Sequence, residues 1–247
     1  MRIVVITGGS RGIGRSAAQH CARAGMGVVV TFQHRQDAAA DLVGEIVSEG
    51  GSAVALRLDV GDCSAFPAFR ARLEQILSEH WDARRIDALV NNAGHGLFHP
   101  IDSVSEAEFD GLMRVHLKGP FFLTQTLLPL LADGGQILNL TSATTRVATA
   151  GVAPYAAFKG GLEVLTRYMA KEFGVRGIRA NAIAPGAIRT ELGGGLPAPF
   201  EALLASQTAL GRIGEPEDVG RVIAAMLSGA NGWINAQTIE VAGGYVI

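Results

Sequence analysis

The sequence predicts an α/β fold: a single doubly wound domain with a seven-stranded parallel sheet and helices on both faces. Three observations predict it. Short β-branched runs alternate with longer segments of helical periodicity, the runs are apolar on both faces, and no clear linker interrupts residues 1–247. A strand that is apolar on both sides must be covered on both sides, and strands separated by helices pair in parallel through crossovers.

The elements follow in order. RIVVI (2–6) leads to a helix over Gly14–Ala24, which Gly25 ends. GVVVTF (27–32) is followed by a helix over Ala38–Glu49, and AVALRL (53–58) by one over Ala65–Glu79. After IDALV (86–90), residues Glu106–Leu131 read as one long helix. QILNLT (136–141) precedes a helix at Tyr155–Phe173, and IRANAIA (178–184) completes the sixth strand. Residues 188–212 hold three consecutive glycines, then Pro197 and Pro199, and read as a cover with a short helix of its own. A final helix over Glu217–Leu227, opened by Pro216, brings the chain to QTIEV (237–241).

Composition excludes several classes of function. The chain is 48% hydrophobic and 18% charged, which provides a core and argues against disorder. A formal net charge of −2 gives no electrostatic reason to expect nucleic acid or an anionic membrane as partner. The apolar run at the N-terminus is too short for a signal peptide, and no other reaches spanning length, so a cytoplasmic protein is expected. Cys21 and Cys63 lack paired spacing and read as reduced thiols. His95 and His99 have no carboxylate or cysteine at ligand spacing, so no metal site is expected.

In doubly wound sheets ligands bind beyond the C-terminal ends of the strands. Those ends here are TGGSRGIG, Phe32, Asp59, NNAG, Ser142 and PGAIRT, so one rim gathers glycine, asparagine, serine and aspartate. The glycines at 8, 12 and 14 let the backbone turn sharply and approach a pyrophosphate, which the first helix's N-terminus attracts. At the far end of the rim, Tyr155 and Lys159 stand four residues apart and share a helix face. A free phenol has a pKa of about 10 and exchanges protons poorly near neutrality, but a neighbouring ammonium favours its ionised form. Each residue taken singly also reads as packing, solvated surface or a strand-end hydrogen bond.

These motifs resemble those of the short-chain dehydrogenase/reductase family. Thr7, Gly8, Gly12 and Gly14 match its TGxxxGxG turn; NNAG (91–94), Tyr155 with Lys159, and Pro185-Gly186 match its other motifs in order and spacing. Ser142 lies thirteen residues before Tyr155, the family's separation of catalytic serine and tyrosine. The resemblance spans essentially the whole chain and implies a Rossmann-type fold, most like the branch of 3-oxoacyl-acyl-carrier-protein reductases. It implies that Ser142 binds a carbonyl oxygen, Tyr155 carries the proton, and Lys159 holds the nicotinamide ribose and tunes the phenol. Where the family's relay has an asparagine, VHLKG places His116, whose unperturbed pKa of about 6.5 suits proton exchange near neutrality. The alternative is that His116 packs between helices. For the cofactor the resemblance implies contacts from Thr7, Gly8, Ser10, Arg11, Gly12, Ile13 and Gly14. It adds Asp59 and Val60 at the adenine, Asn91, Ala93 and Gly94 at the adenosine ribose, and Pro185, Gly186, Ile188 and Thr190, beside Tyr155 and Lys159.

The implied substrate is a small carbonyl or alcohol, with a 3-oxoacyl thioester the leading guess and a sugar, polyol or cyclic ketone the alternative. A catalytically silent NADPH sensor is the rival from another class, although it has no reason to keep Ser142, Tyr155 and Lys159 together. Relatives pair their long helices between subunits, which implies a homotetramer, with a dimer as the alternative. The preferred cofactor is NADP(H). Phe32 stands where NAD users of the family carry an acid, Arg11 stands where NADP users carry a base, and Arg35 is a possible second contact for the 2′-phosphate. NADPH should therefore bind more tightly than NADH, and Phe32→Asp should move the preference toward NADH. Fluorescence titration with both cofactors checks this, and equal or tighter binding of NADH by the parent protein would sink the assignment.

Overall fold

A computed structural model describes all residues from Met1 to Ile247. Seven parallel strands form one sheet in the order β3-β2-β1-β4-β5-β6-β7. They are β1 (Ile3–Ile6), β2 (Gly27–Phe32), β3 (Ser52–Arg57), β4 (Ile86–Asn91), β5 (Leu131–Leu140), β6 (Arg179–Pro185) and β7 (Thr238–Val241). The helices are α1 (Gly12–Arg23), α2 (Gln36–Ser48), α3 (Phe66–Trp81), α4 (Glu106–Met113), α5 (Gly119–Leu127), α6 (Ala153–Phe173), α7 (Ala198–Ser206) and α8 (Pro216–Leu227). No helix is long and apolar enough to cross a membrane.

Alternation along each strand divides the interior into two cores. Val4, Ile6, Val28, Val30 and Val90 point to the side where Ala17, Cys21, Leu42 and Ile223 of α1, α2 and α8 pack. Ile3, Val5, Val29, Leu89 and Ile137 point to the other side, against Phe69 and Leu73 of α3, Leu123 of α5 and Met169 of α6. This is why the central strands read as continuously apolar: along β1, β2 and most of β4 and β6 each residue is buried on one face or the other.

A third, smaller cluster lies beyond the sheet's C-terminal edge. Ala143, Leu204, Ile213 and Tyr245 form it, with Leu196 and Phe200 packed against them. Arg146 anchors the chain beside it, donating to Glu240 and to the carbonyls of Tyr245 and Val246.

One expected element is corrected. Residues 106–131 are not a single helix: α4 passes into a π-helical stretch at Arg114–Lys118, then α5 ends at Leu127, and Leu131 already belongs to β5. Leu128 keeps helical backbone angles, and the helix stops at Pro129, which has no amide hydrogen to donate to the turn before it. A side chain on Gly119 would collide with the Val60 and Arg114 carbonyls, so the helix passes the end of β3 only with a glycine there. Other boundaries differ by a few residues, the largest shift being β5, which begins at Leu131 rather than 136.

Polar residues also enter the sheet's centre. Asn91 and Asn139 are register partners on β4 and β5, and the Asn91 amide donates to the Asn139 carbonyl at 2.8 Å. The Asn139 amide in turn donates to Thr166 of α6 at 2.8 Å. Buried amides left unpaired would cost about 1–3 kcal/mol each, so this chain of contacts fixes α6 against the sheet. α6 carries Tyr155 and Lys159, so the network sets where they stand.

Candidate active site

A cavity of about 830 Å³ runs along the C-terminal rim, from the glycine turn past Asp59 to Tyr155. The turn is built by crossing contacts. Thr7 Oγ1 accepts hydrogen bonds from the amides of Asn92 (2.9 Å) and Ala93 (3.0 Å), and the Asn92 side chain donates to the carbonyls of Thr7 (2.8 Å) and Gly8 (3.1 Å). Gly8 and Gly12 have φ of 65° and 54°, which a side chain would strain.

α1 starts directly after this turn, and its N-cap, Arg11, offers no side-chain cap; no acidic residue stands in the first turn. The leading amides of Gly12, Ile13 and Gly14 therefore border the cavity without the usual capping acceptor. An uncapped, glycine-lined helix start fits a pyrophosphate. Ser10, Arg11, Arg35, Val60, Ala93, Gly94, Pro185, Gly186, Ile188 and Thr190 line the same cavity.

Some expected contacts fall elsewhere. Thr7 and Asn91 do not line the cavity: Thr7 ties β1 to the end of β4, and Asn91 is spent on Asn139 and Thr124. Asp59 does line it, but both its oxygens are engaged, one by the amide of Gly61 (2.8 Å) and one by Gln33 (2.7 Å). Arg11 and Arg35 converge on a single carboxylate, Glu191, at 2.9 and 3.4 Å. Sequence reasoning passed over Asn92 and Glu191. NNAG offered a signal for the first, while nothing in the spacing marked the second.

At the other end of the cavity the structure brings together Ser142, Tyr155, Lys159 and His116. Ser142 Oγ accepts from Thr144, whose hydroxyl lies 2.9 Å away. Lys159 is buried, its Nζ donates to the Leu140 carbonyl at 2.5 Å, and it lies 5.5 Å from the centre of the Tyr155 ring. His116, in the π-turn, is buried; its Nε2 lies 2.8 Å from the His95 carbonyl and its ring meets Tyr155 edge-on at 5.0 Å. A hydrogen bond to that carbonyl requires the proton on Nε2, toward which the His95 amide also points from 3.4 Å; Nδ1 has no partner.

The electrostatics correct two expectations. The phenol is not brought toward neutrality: burial pushes Tyr155 up to about 12, and the Ser142 hydroxyl pulls it back only in part. Burial lowers Lys159 to about 7, so the ammonium that would acidify the phenol is itself weakened. His116 lies well below 6.5, chiefly through burial and then the charge of Lys159, so its imidazole is neutral rather than titrating near pH 7.

A glycine turn and an uncapped helix at the edge of a parallel sheet, sharing a cavity with a part-exposed tyrosine and a buried lysine one turn on, define a dinucleotide-dependent oxidoreductase. Comparison with known proteins agrees. Residues 8–246 match the family model described as enoyl-(acyl carrier protein) reductase. The chain is 34% identical to the 3-oxoacyl-[acyl-carrier-protein] reductase FabG of Staphylococcus aureus, over 97% of this chain and 96% of that one. It is 32% identical to a hydroxynaphthalene reductase-like protein of Metarhizium guizhouense, over 99% and 95%. The angucycline C-6 ketoreductase LanV, solved with bound NADP, superposes with a TM-score of 0.93 at 32% identity, over 99% of this chain and 95% of that one. The chain belongs to the short-chain dehydrogenase/reductase family.

The buried lysine leaves a signature in stability. Its folded value of about 7 lies below its ordinary 10.5, so between those pH values the unfolded chain holds a proton that the native chain has released. Native stability should rise with pH across that window. Tyr155 acts oppositely, but only between 10 and about 12. Urea midpoints measured from pH 7 to 10 should rise less steeply in Lys159→Met than in the parent; equal slopes would show that Lys159 stays charged when folded.

Proposed function

We propose that the protein is an NADP(H)-dependent ketoreductase that interconverts a ketone and a secondary alcohol, with Ser142, Tyr155 and Lys159 as its catalytic residues. One observation carries the proposal: the Tyr155–Lys159 turn of α6 and Ser142 at the end of β5 line the cavity that begins at the glycine turn. The cofactor, when bound, supplies or accepts the hydride. Ser142 Oγ donates its proton to the carbonyl oxygen while still accepting from Thr144. A phenol raised to about 12 stays protonated at neutral pH, and that is the form that gives a proton to a developing alkoxide. Lys159 sits one turn away, where its charge steadies the phenolate left behind. His116 holds the 94–95 turn through the His95 carbonyl, and its free Nδ1 can accept a hydrogen bond from a relay water.

Arg11 and Arg35 support NADP(H) over NAD(H), as do the solved relative LanV with bound NADP and a related blue fluorescent protein solved with NADPH. The cavity's substrate end is walled by Phe98, Val152, Leu196, Phe200, Leu204 and Tyr245. Such a wall fits an apolar ketone, and LanV was solved with rabelomycin as well as NADP. We favour a fused-ring ketone. A 3-oxoacyl thioester is the second reading, favoured by the likeness to FabG. Residues 188–212 act as a cover over this end, since their small core backs the same wall.

The test is NADPH consumption with bicyclic ketones beside 3-oxoacyl thioesters. Tyr155→Phe should lower turnover at least about a hundredfold while NADPH still binds. His116→Leu should be slower with NADPH affinity intact; if its rate matches the parent, the histidine only packs. Near-normal turnover in Tyr155→Phe would show that another group carries the proton.

Phe109, Phe121 and Phe122 on α4 and α5, with Val164 and Tyr168 on α6, are exposed apolar side chains on the long helices, and Trp233 and Ile247 are exposed elsewhere. Such exposure supports a homotetramer built from two-fold contacts. Light scattering should give four chains at micromolar concentration, and a monomer would refute the assembly.

A further inference from the structure

Glu191 holds both arginines assigned above to the cofactor's 2′-phosphate. Its Oε2 lies 2.9 Å from Arg11 Nη1 and 3.4 Å from Arg35 Nη1, so one carboxylate oxygen serves two guanidinium groups. The two arginines come from opposite ends of the loop system, one at the start of α1 and one after β2; Glu191 comes from the cover. We propose that Glu191 is a specificity-determining residue that competes with the 2′-phosphate for Arg11 and Arg35, so that a phosphorylated cofactor detaches the cover from the glycine turn and an unphosphorylated one does not. The proposal rests on the reading of that arginine pair as the 2′-phosphate site.

Charge balance forces the competition. A phosphate monoester carries about −1.5 to −2 near neutrality and offers three acceptor oxygens. Two guanidinium groups neutralise that charge alone but not a carboxylate beside it, and like charges within one cluster repel. The carboxylate is the weaker ligand. It uses one oxygen, it is not bidentate, and all three side chains are about half to two-thirds exposed, so water screens its contacts and they are weak.

The backbone is built to let Glu191 go. On one side Arg189 is anchored: it pairs with Glu201 and Glu215, and its amide donates to the Gly214 carbonyl at 2.9 Å. On the other side Gly193, Gly194 and Gly195 have φ of 65°, 94° and 88°, a run that only glycine adopts without strain. Between these points Thr190 lies against the glycine turn, its methyl 3.4 Å from where a side chain on Gly12 would begin. Glu191 thus sits between a fixed residue and a flexible run, directly over the turn that takes the pyrophosphate. Release of its carboxylate moves the piece of chain that separates the cofactor end of the cavity from the substrate end.

The experiment uses fragments that isolate the phosphate: adenosine 2′,5′-bisphosphate, and adenosine 5′-monophosphate as the control without it. Calorimetry on the parent protein, Glu191→Gln, Arg11→Ala and the double variant should show Glu191→Gln binding the bisphosphate about two- to fivefold more tightly, with the monophosphate unchanged. In the Arg11→Ala background the gain should shrink. Hydrogen exchange over residues 190–196 should quicken when the parent binds the bisphosphate and not the monophosphate; in Glu191→Gln it should be fast beforehand. If Arg11→Ala weakens the bisphosphate and Glu191→Gln does not tighten it, the arginine site stands and the competition is refuted. If neither Arg11→Ala nor Arg35→Ala weakens it, the 2′-phosphate reading fails and the competition with it.

Discussion

The rim of this protein depends on how β1 and β4 part at Thr7. Below that residue the strands are hydrogen-bonded neighbours; above it the chain after β1 turns toward β2 and the chain after β4 toward β5. Two paired strands that diverge leave unsatisfied backbone groups in the gap, and Thr7 and Asn92 meet that demand from both sides. Because the gap is held open by side chains rather than filled by them, Gly8 can take its left-handed turn and α1 can start at the sheet's edge. Neither Thr7 nor Asn91 needs to touch a ligand for the site to exist.

The opposite end of the cavity is governed by cost of charge rather than by geometry of turns. Tyr155, Lys159 and His116 all sit where ionisation is disfavoured, and each is displaced toward its neutral form. A low-dielectric corner of this kind makes any charge brought into it act strongly on its neighbours. The π-turn at 114–118 is part of the same arrangement, since it carries His116 to the ring of Tyr155 while Gly119 lets the helix slide past Val60.

Much of this was legible in the sequence. The central strands were visible because both their faces are buried, so burial alone writes their pattern. The glycine turn and the Ser142, Tyr155 and Lys159 positions were visible because their spacing is fixed along one short stretch of chain. What could not be read is what joins distant segments. The convergence of Arg11, Arg35 and Glu191 depends on three loops meeting. The engagement of Asp59 by Gln33 depends on the ends of β2 and β3 lying side by side. The long helix was misjudged because its apolar periodicity runs through the π-turn and on past Pro129 without a break in composition. The upward shift at Tyr155 runs against the expected pull of the neighbouring ammonium because proximity is legible in a sequence and desolvation is not.

The small cluster around Leu204, Ile213 and Tyr245 is separate from the two cores that hold the sheet. A wall built on its own packing can be redrawn by mutation without the sheet being asked to repack. For a lineage acquiring new substrates, this separates inventing a pocket from keeping a fold, so the two are tested by selection one at a time. The same frame can then carry other specificities through changes confined to that wall.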